Sequence, residues 1–160
     1  MINEYIKIHH QDGLVTFAGS SEAQAIWYKD EGRSLLDVYV ENRNEPSCST
    51  DEDLFYIKCA QMEFSQFPFS KTQFENLENE IIEIPDQFEY SEKYNSDIFM
   101  YLGFGIAINQ NKICFTKQHG DYYIHWHCIG GDISYYDERA KPNKIEVVSK
   151  ITLIDKTKNQ

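Results

Sequence analysis

The sequence predicts an α+β fold: a mostly antiparallel β-sheet with a C-terminal meander and about two helices packed on one face. Three observations carry that expectation. The C-terminal half holds apolar, aromatic-rich runs separated by short turn signals, the pattern of strands joined by hairpins. Two stretches, after Ser21 and after Ser70, show the spacing of a helix capping box and read as helices. Finally, 160 residues with 41% hydrophobic content suffice for one core, so residues 1–160 are read as a single domain.

Residues 5–8 and 14–17 read as strands around a turn at 11–13. Ser21 with Gln24 then opens a predicted helix through Ala23, Ala25, Ile26 and Trp27, with Gly32 as its C-terminal glycine. Residues 35–40 form a strand, 41–53 a polar loop with Pro46, and 54–59 another strand. Ser70 and Gln73 open a second helix whose apolar stripe is Phe74, Leu77 and Ile81, stopped by Pro85. Residues 98–108 read as one strong strand, with Gly103 and Gly105 marking a bulge or a close backbone approach. A turn at 109–111, a strand at 112–117, a turn at 118–121 and a strand at 122–129 complete the meander. A β-branched strand at 145–154 follows, and the polar tail 156–160 is expected to fray.

The net charge is −11. It argues against sequence-independent nucleic-acid binding, which needs Lys and Arg to neutralise phosphates, and against docking on an anionic membrane. The longest nearly apolar run, residues 98–108, is far shorter than the ~20 residues of a spanning helix. The N-terminus lacks the basic and apolar regions of a secretory signal, so a cytoplasmic protein is expected. Cys48, Cys59, Cys114 and Cys128 contain no C-x-x-C pair and read as reduced thiols.

The charge is segregated. Residues 41–97 carry fourteen acids against four bases, net −10, whereas residues 98–160 are net +2. Glu75, Glu78, Glu80, Glu83, Asp86, Glu89, Glu92 and Asp97 face a single Lys93. So many acids together produce a field that speeds capture of a basic partner, although the same pattern also serves solubility. Phe88, Tyr90 and Tyr94 lie among them and would supply the aromatic anchors of an interface.

His125-Trp126-His127-Cys128 is the one constellation with ligand chemistry. Strand alternation puts His125 and His127 on the face opposite Trp126 and Cys128, about 6.5–7 Å apart, within reach of one metal ion. A third ligand would have to come from His9, His10, His119, Asp121 or Asp132. The pattern resembles the first cupin motif, but Gly120 stands one position too close, Asp132 replaces the usual Glu, and the second motif is missing. No G-x-S-x-G elbow, glycine-rich phosphate loop or H-E-x-x-H helix is present, so a non-catalytic protein without cofactors is expected.

One-domain size, the acidic block and the lack of catalytic motifs together resemble bacterial toxin-immunity proteins of contact-dependent inhibition and other polymorphic toxin systems. The resemblance is one of class and rests on no signature motif. It implies a protein that binds and neutralises a cognate, basic toxin domain, such as a nuclease, with the acids blocking its active site. A metal-binding β protein or enzyme built around His125 and His127 is the alternative.

Overall fold

The computed structural model describes residues 2–10, 13–48, 57, 59–131 and 142–159. Among the described residues twelve strands dominate: β1 (Tyr5–His10), β2 (Gly13–Ala18), β3 (Glu22–Asp30), β4 (Arg33–Asn42), β5 (Ser47–Cys48), β6 (Ala60–Pro68), β7 (Ile81–Ile84), β8 (Ile98–Tyr101), β9 (Gly105–Ile106), β10 (Ile108–Gln118), β11 (Asp121–Gly130) and β12 (Asn143–Asp155). Two short helices, α1 (Lys71–Glu75) and α2 (Gln87–Tyr94), flank β7 in the chain. The protein is therefore α+β with a mainly antiparallel sheet.

The strands form two layers that share β12. One layer runs β5-β2-β1-β12-β11-β10-β7, and the other runs β12-β3-β4-β6-β8-β9. Residues of β12 up to Ile151 pair antiparallel with β11, and Thr152–Asp155 pair parallel with β3. Where β12 passes between layers, the Glu4 carboxylate accepts from the Lys150 backbone N–H at 2.8 Å. That contact satisfies a backbone donor at the crossing. The core lies between the layers: Trp126 of β11 meets Phe64 of β6 edge-on at 5.6 Å, and both are fully buried.

The predicted first helix is a strand. In β3, Ala23, Ala25 and Trp27 are buried while Glu22 and Gln24 are exposed, a period of two that overrides the capping-box spacing. Gly32 ends no helix. With Glu31 it forms the two-residue turn of the β3–β4 hairpin, both at positive φ (49° and 81°), the twist such hairpins favour. Trp27 donates to the Phe69 carbonyl at 2.9 Å and stacks on Phe74 of α1.

The second helix exists, with the predicted capping box between Ser70 and Gln73, but is short. After Asn76 the chain tightens into a 3-10 turn at Leu77–Asn79 and straightens into β7. Phe74 and Leu77 are buried as expected, whereas Ile81 is 59% exposed. The isoleucines of β7 alternate, Ile82 and Ile84 inward, Ile81 outward, so Ile81 does not belong to the helical stripe.

Residues 98–108 are not one strand. β8 and β9 form a hairpin around Leu102–Phe104, in which the Leu102 N–H donates to the Phe104 carbonyl at 3.0 Å. The expected turn at 109–111 is a β-bulge inside β10, with Gln110 at φ 52° and a register shift between Asn109 and Lys112. The antiparallel meander is therefore β10-β11-β12. The turn at 118–121 and the strands at 112–117, 122–129 and 145–154 fall as expected. Within the region read as a loop, 41 and 42 complete β4 and β5 adds two residues. Most of the strand expected at 54–59 lies outside the described residues; the next described strand, β6, begins at Ala60. The tail closes into a 3-10 turn at Lys156–Asn159, with Asp155 accepting from the Thr157 N–H at 2.9 Å.

Candidate functional site

The β10 bulge builds the junction that carries the acidic residues. Asn111, 2% exposed, donates through Nδ2 to the Ile84 and Ile108 carbonyls, both at 3.0 Å, and accepts at Oδ1 from the Trp126 indole at 2.8 Å. Asn109 accepts from the Gln87 N–H at 2.8 Å, and the Gln87 side chain accepts from the Ile108 N–H at 2.8 Å. The Pro85 carbonyl accepts from Gln110 at 2.8 Å. Both the end of β7 and the start of α2 are thereby fastened to the sheet.

The helix α2 follows Pro85 directly. Asp86 is its N-cap, its side chain accepting from the Glu89 N–H at 2.9 Å, and Asn95 closes it in the left-handed conformation. Its inward face is Tyr90, whose hydroxyl donates to the Ser65 carbonyl and whose ring stacks on Phe67. Burial pushes the Tyr90 phenol well above its ordinary range, so the hydroxyl remains a donor. Tyr94, one turn later, packs half-buried against Phe67 and Tyr90. Tyr90 and Tyr94 are thus framework residues rather than exposed anchors. Their i, i+4 spacing sets both on the face that packs against β6.

Phe88 alone of the three aromatics is presented to solvent, at 68% exposure, with Glu92 one turn along the same face. Glu83, Asp86 and Glu89 line one groove of about 220 Å³ with Phe67, Tyr90 and Lys93. Asp86, Phe88 and Asp97 line an adjoining groove of about 280 Å³. Glu75, Glu78 and Glu80 contact other side chains of the chain and line neither groove. Glu75 is 3.9 Å from Lys71, Glu80 accepts from Gln73 at 3.1 Å, and Glu78 accepts from the Tyr122 hydroxyl at 3.1 Å. Hydrogen bonds from its own backbone N–H and from Tyr122 hold Glu78 below the usual carboxylate range. The eight-acid block therefore divides at β7. Ile81, read as core, stands exposed beside Glu83 on that strand; the alternation Ile82/Ile84 against Ile81/Glu83 is the signal that identifies it.

The histidine strand has the predicted faces: Ile124, Trp126 and Cys128 point inward, His125 and His127 outward. The two imidazoles diverge, however. His125 bonds the Thr116 hydroxyl on β10 at 2.9 Å, whereas His127 approaches Glu146 on β12 at 3.9 Å. Glu146 is a cross-strand hub, bonded to His9 at 2.6 Å and within 3.6 Å of Lys144. Partial burial, then the proximity of His127, push His125 below the ordinary histidine range. Asp121 pairs with Lys150 at 3.5 Å, His119 occupies the β10–β11 turn, and Asp132 lies outside the described residues. Among the described residues no three His, Cys, Asp or Glu side chains come together to hold a metal ion. Cys59, Cys114 and Cys128 are free thiols; Cys128 is buried, and its burial raises its pKa far above the reactive range. None of the described helices is long and apolar enough to cross a membrane.

No protein-family model, curated protein or solved structure matches this chain.

Proposed function

We propose that the chain is a binding protein of the toxin-immunity kind, which captures a cationic toxin domain, such as a nuclease, and covers it through the acidic edge around β7 and α2. The observation that carries this reading is Phe88. Phe88, 68% exposed on α2, shares a groove with Asp86 and Asp97 and has Glu92 one turn along the same face. An apolar anchor ringed by charge of one sign has the anatomy of an interface centre and rim. The carboxylates accelerate encounter with a basic surface, and the ring slows dissociation once water is excluded. The protein needs no reaction of its own; occupying the toxin's phosphate-binding surface in the cytoplasm suffices.

The reading expects a toxin domain encoded beside this chain's gene, and the test is the chain's association with that domain, followed by stopped flow. The on-rate falls steeply with added salt, and by about tenfold or more in a Glu83→Lys/Glu89→Lys/Glu92→Lys variant. Phe88→Ala raises the off-rate instead. Association insensitive to salt and to both variants overturns the proposal.

A further inference from the structure

We infer that the partner is held by strand addition, with an extended segment bearing Lys or Arg pairing along the edge of β7 that no described strand covers. This inference rests on the acidic-capture reading above and supplies its mode of recognition.

Among the described residues β7 pairs with β10 alone. The direction of its backbone groups follows from the β10–β11 hairpin. That hairpin turns through His119 and Gly120, at φ 54° and 86°, between the paired residues Gln118 and Asp121. A two-residue turn of this kind closes on a hydrogen-bonded pair. Alternation then gives hydrogen-bonded pairs at Thr116–Tyr123, Cys114–His125 and Lys112–His127. Ile113 and Asn111, between and beside these, turn their N–H and C=O groups to the other side, towards their partners Ile82 and Ile84 of β7. Ile81 and Glu83 therefore direct theirs outward, two residues apart, at the repeat of an incoming strand.

The neighbourhood of that edge fits an occupant. The groove holding Glu83 and Ile84 continues past the half-buried rings of Phe67 and Tyr94, with Glu89 and Lys93 also lining it, so side chains of an added strand meet ring edges on one side. Ile81, 59% exposed, and Glu83 face the other side. Charge decides which strand can pair. Edge-to-edge association of two copies would bring Glu80, Glu83 and Asp86 of each against the same acids of the other, and like charges across strands are destabilising. The acids thus guard the edge against a second copy and favour a cationic segment.

The probe is a short peptide of alternating Lys and Val, compared with the same peptide methylated on every backbone nitrogen, which keeps the charge and loses the donors. Binding of the plain peptide slows amide exchange at Ile81 and Glu83 about tenfold or more, leaves Ile82 and Ile84 unchanged, and is about tenfold tighter than that of the methylated peptide. Glu83→Pro, which removes an edge donor, weakens binding beyond Glu83→Gln, which removes only the charge. Equal, salt-sensitive binding of both peptides without protection of Ile81 and Glu83 overturns strand addition and leaves acidic capture standing. Failure of both peptides to bind overturns acidic capture and strand addition together.

Discussion

Replacing Asn111 tests how the fold presents the acidic edge. Its amide makes three buried hydrogen bonds, to the Ile84 carbonyl of β7, the Ile108 carbonyl at the bulge, and the indole of Trp126. Trp126 is fully buried, so Asn111→Ala leaves its N–H without a partner in the core. A typical buried hydrogen bond contributes about 1 kcal/mol, and an orphaned buried donor costs about 1–3 kcal/mol. The expected loss is about 3 kcal/mol, or roughly 6–12 °C in Tm for a chain of this size. Urea unfolding followed by tryptophan fluorescence reads it, because Trp126 reports on the same site. Asn111→Asp keeps the acceptor for Trp126 but turns the donor into a carboxylate facing two carbonyls, so it loses at least as much. A loss under about 0.5 kcal/mol in both variants would refute the network's role.

Trp27→Phe removes the bond to the Phe69 carbonyl and part of the stack on Phe74, and is expected to cost about 2–3 kcal/mol by the same urea assay. Phe88→Ala, at an exposed site, shifts stability by less than about 0.5 kcal/mol, so any loss of partner binding it causes is a surface effect. The Glu146 carboxyl is held below the usual carboxylate range, chiefly by its hydrogen bond from His9 and then by Lys144 and His127. A depressed folded pKa contributes stability that is complete above the ordinary carboxylate value and disappears as pH falls through the lower folded value. Glu146→Gln should therefore flatten that acid limb in urea midpoints measured across pH; an unchanged limb would count against the cluster.

Strands whose inward residues repeat at period two were legible from the residues, as at Lys112 to Lys117, Tyr122 to Ile129 and Ile145 to Ile154. The division of the histidine strand into two faces was legible for the same reason. The helix expected after Ser21 failed because capping spacing is local, while the pairing of β3 with β4 and β12 is not. Residues 98–108 read as one strand because their apolar character is continuous across the hairpin loop. The helix α2 passed unseen since Tyr90 is its one fully buried residue, leaving no apolar stripe, although Asp86 and Asn95 stand where caps belong. Charge segregation was visible at once. Which acids come together beside α2 was not, because Asn109, Gln87 and Gln110 fasten β7 and α2 to the sheet only in the folded chain.

Growth of cells expressing the toxin domain that the proposed function expects beside this chain's gene, with or without this chain, tests the central claim most directly. The wild-type chain is expected to restore growth, and the Glu83→Lys/Glu89→Lys/Glu92→Lys variant, present at equal abundance and equally stable, is expected to fail. Equal protection by the charge-reversed variant, or no protection by the wild-type chain, would contradict capture through the acidic edge.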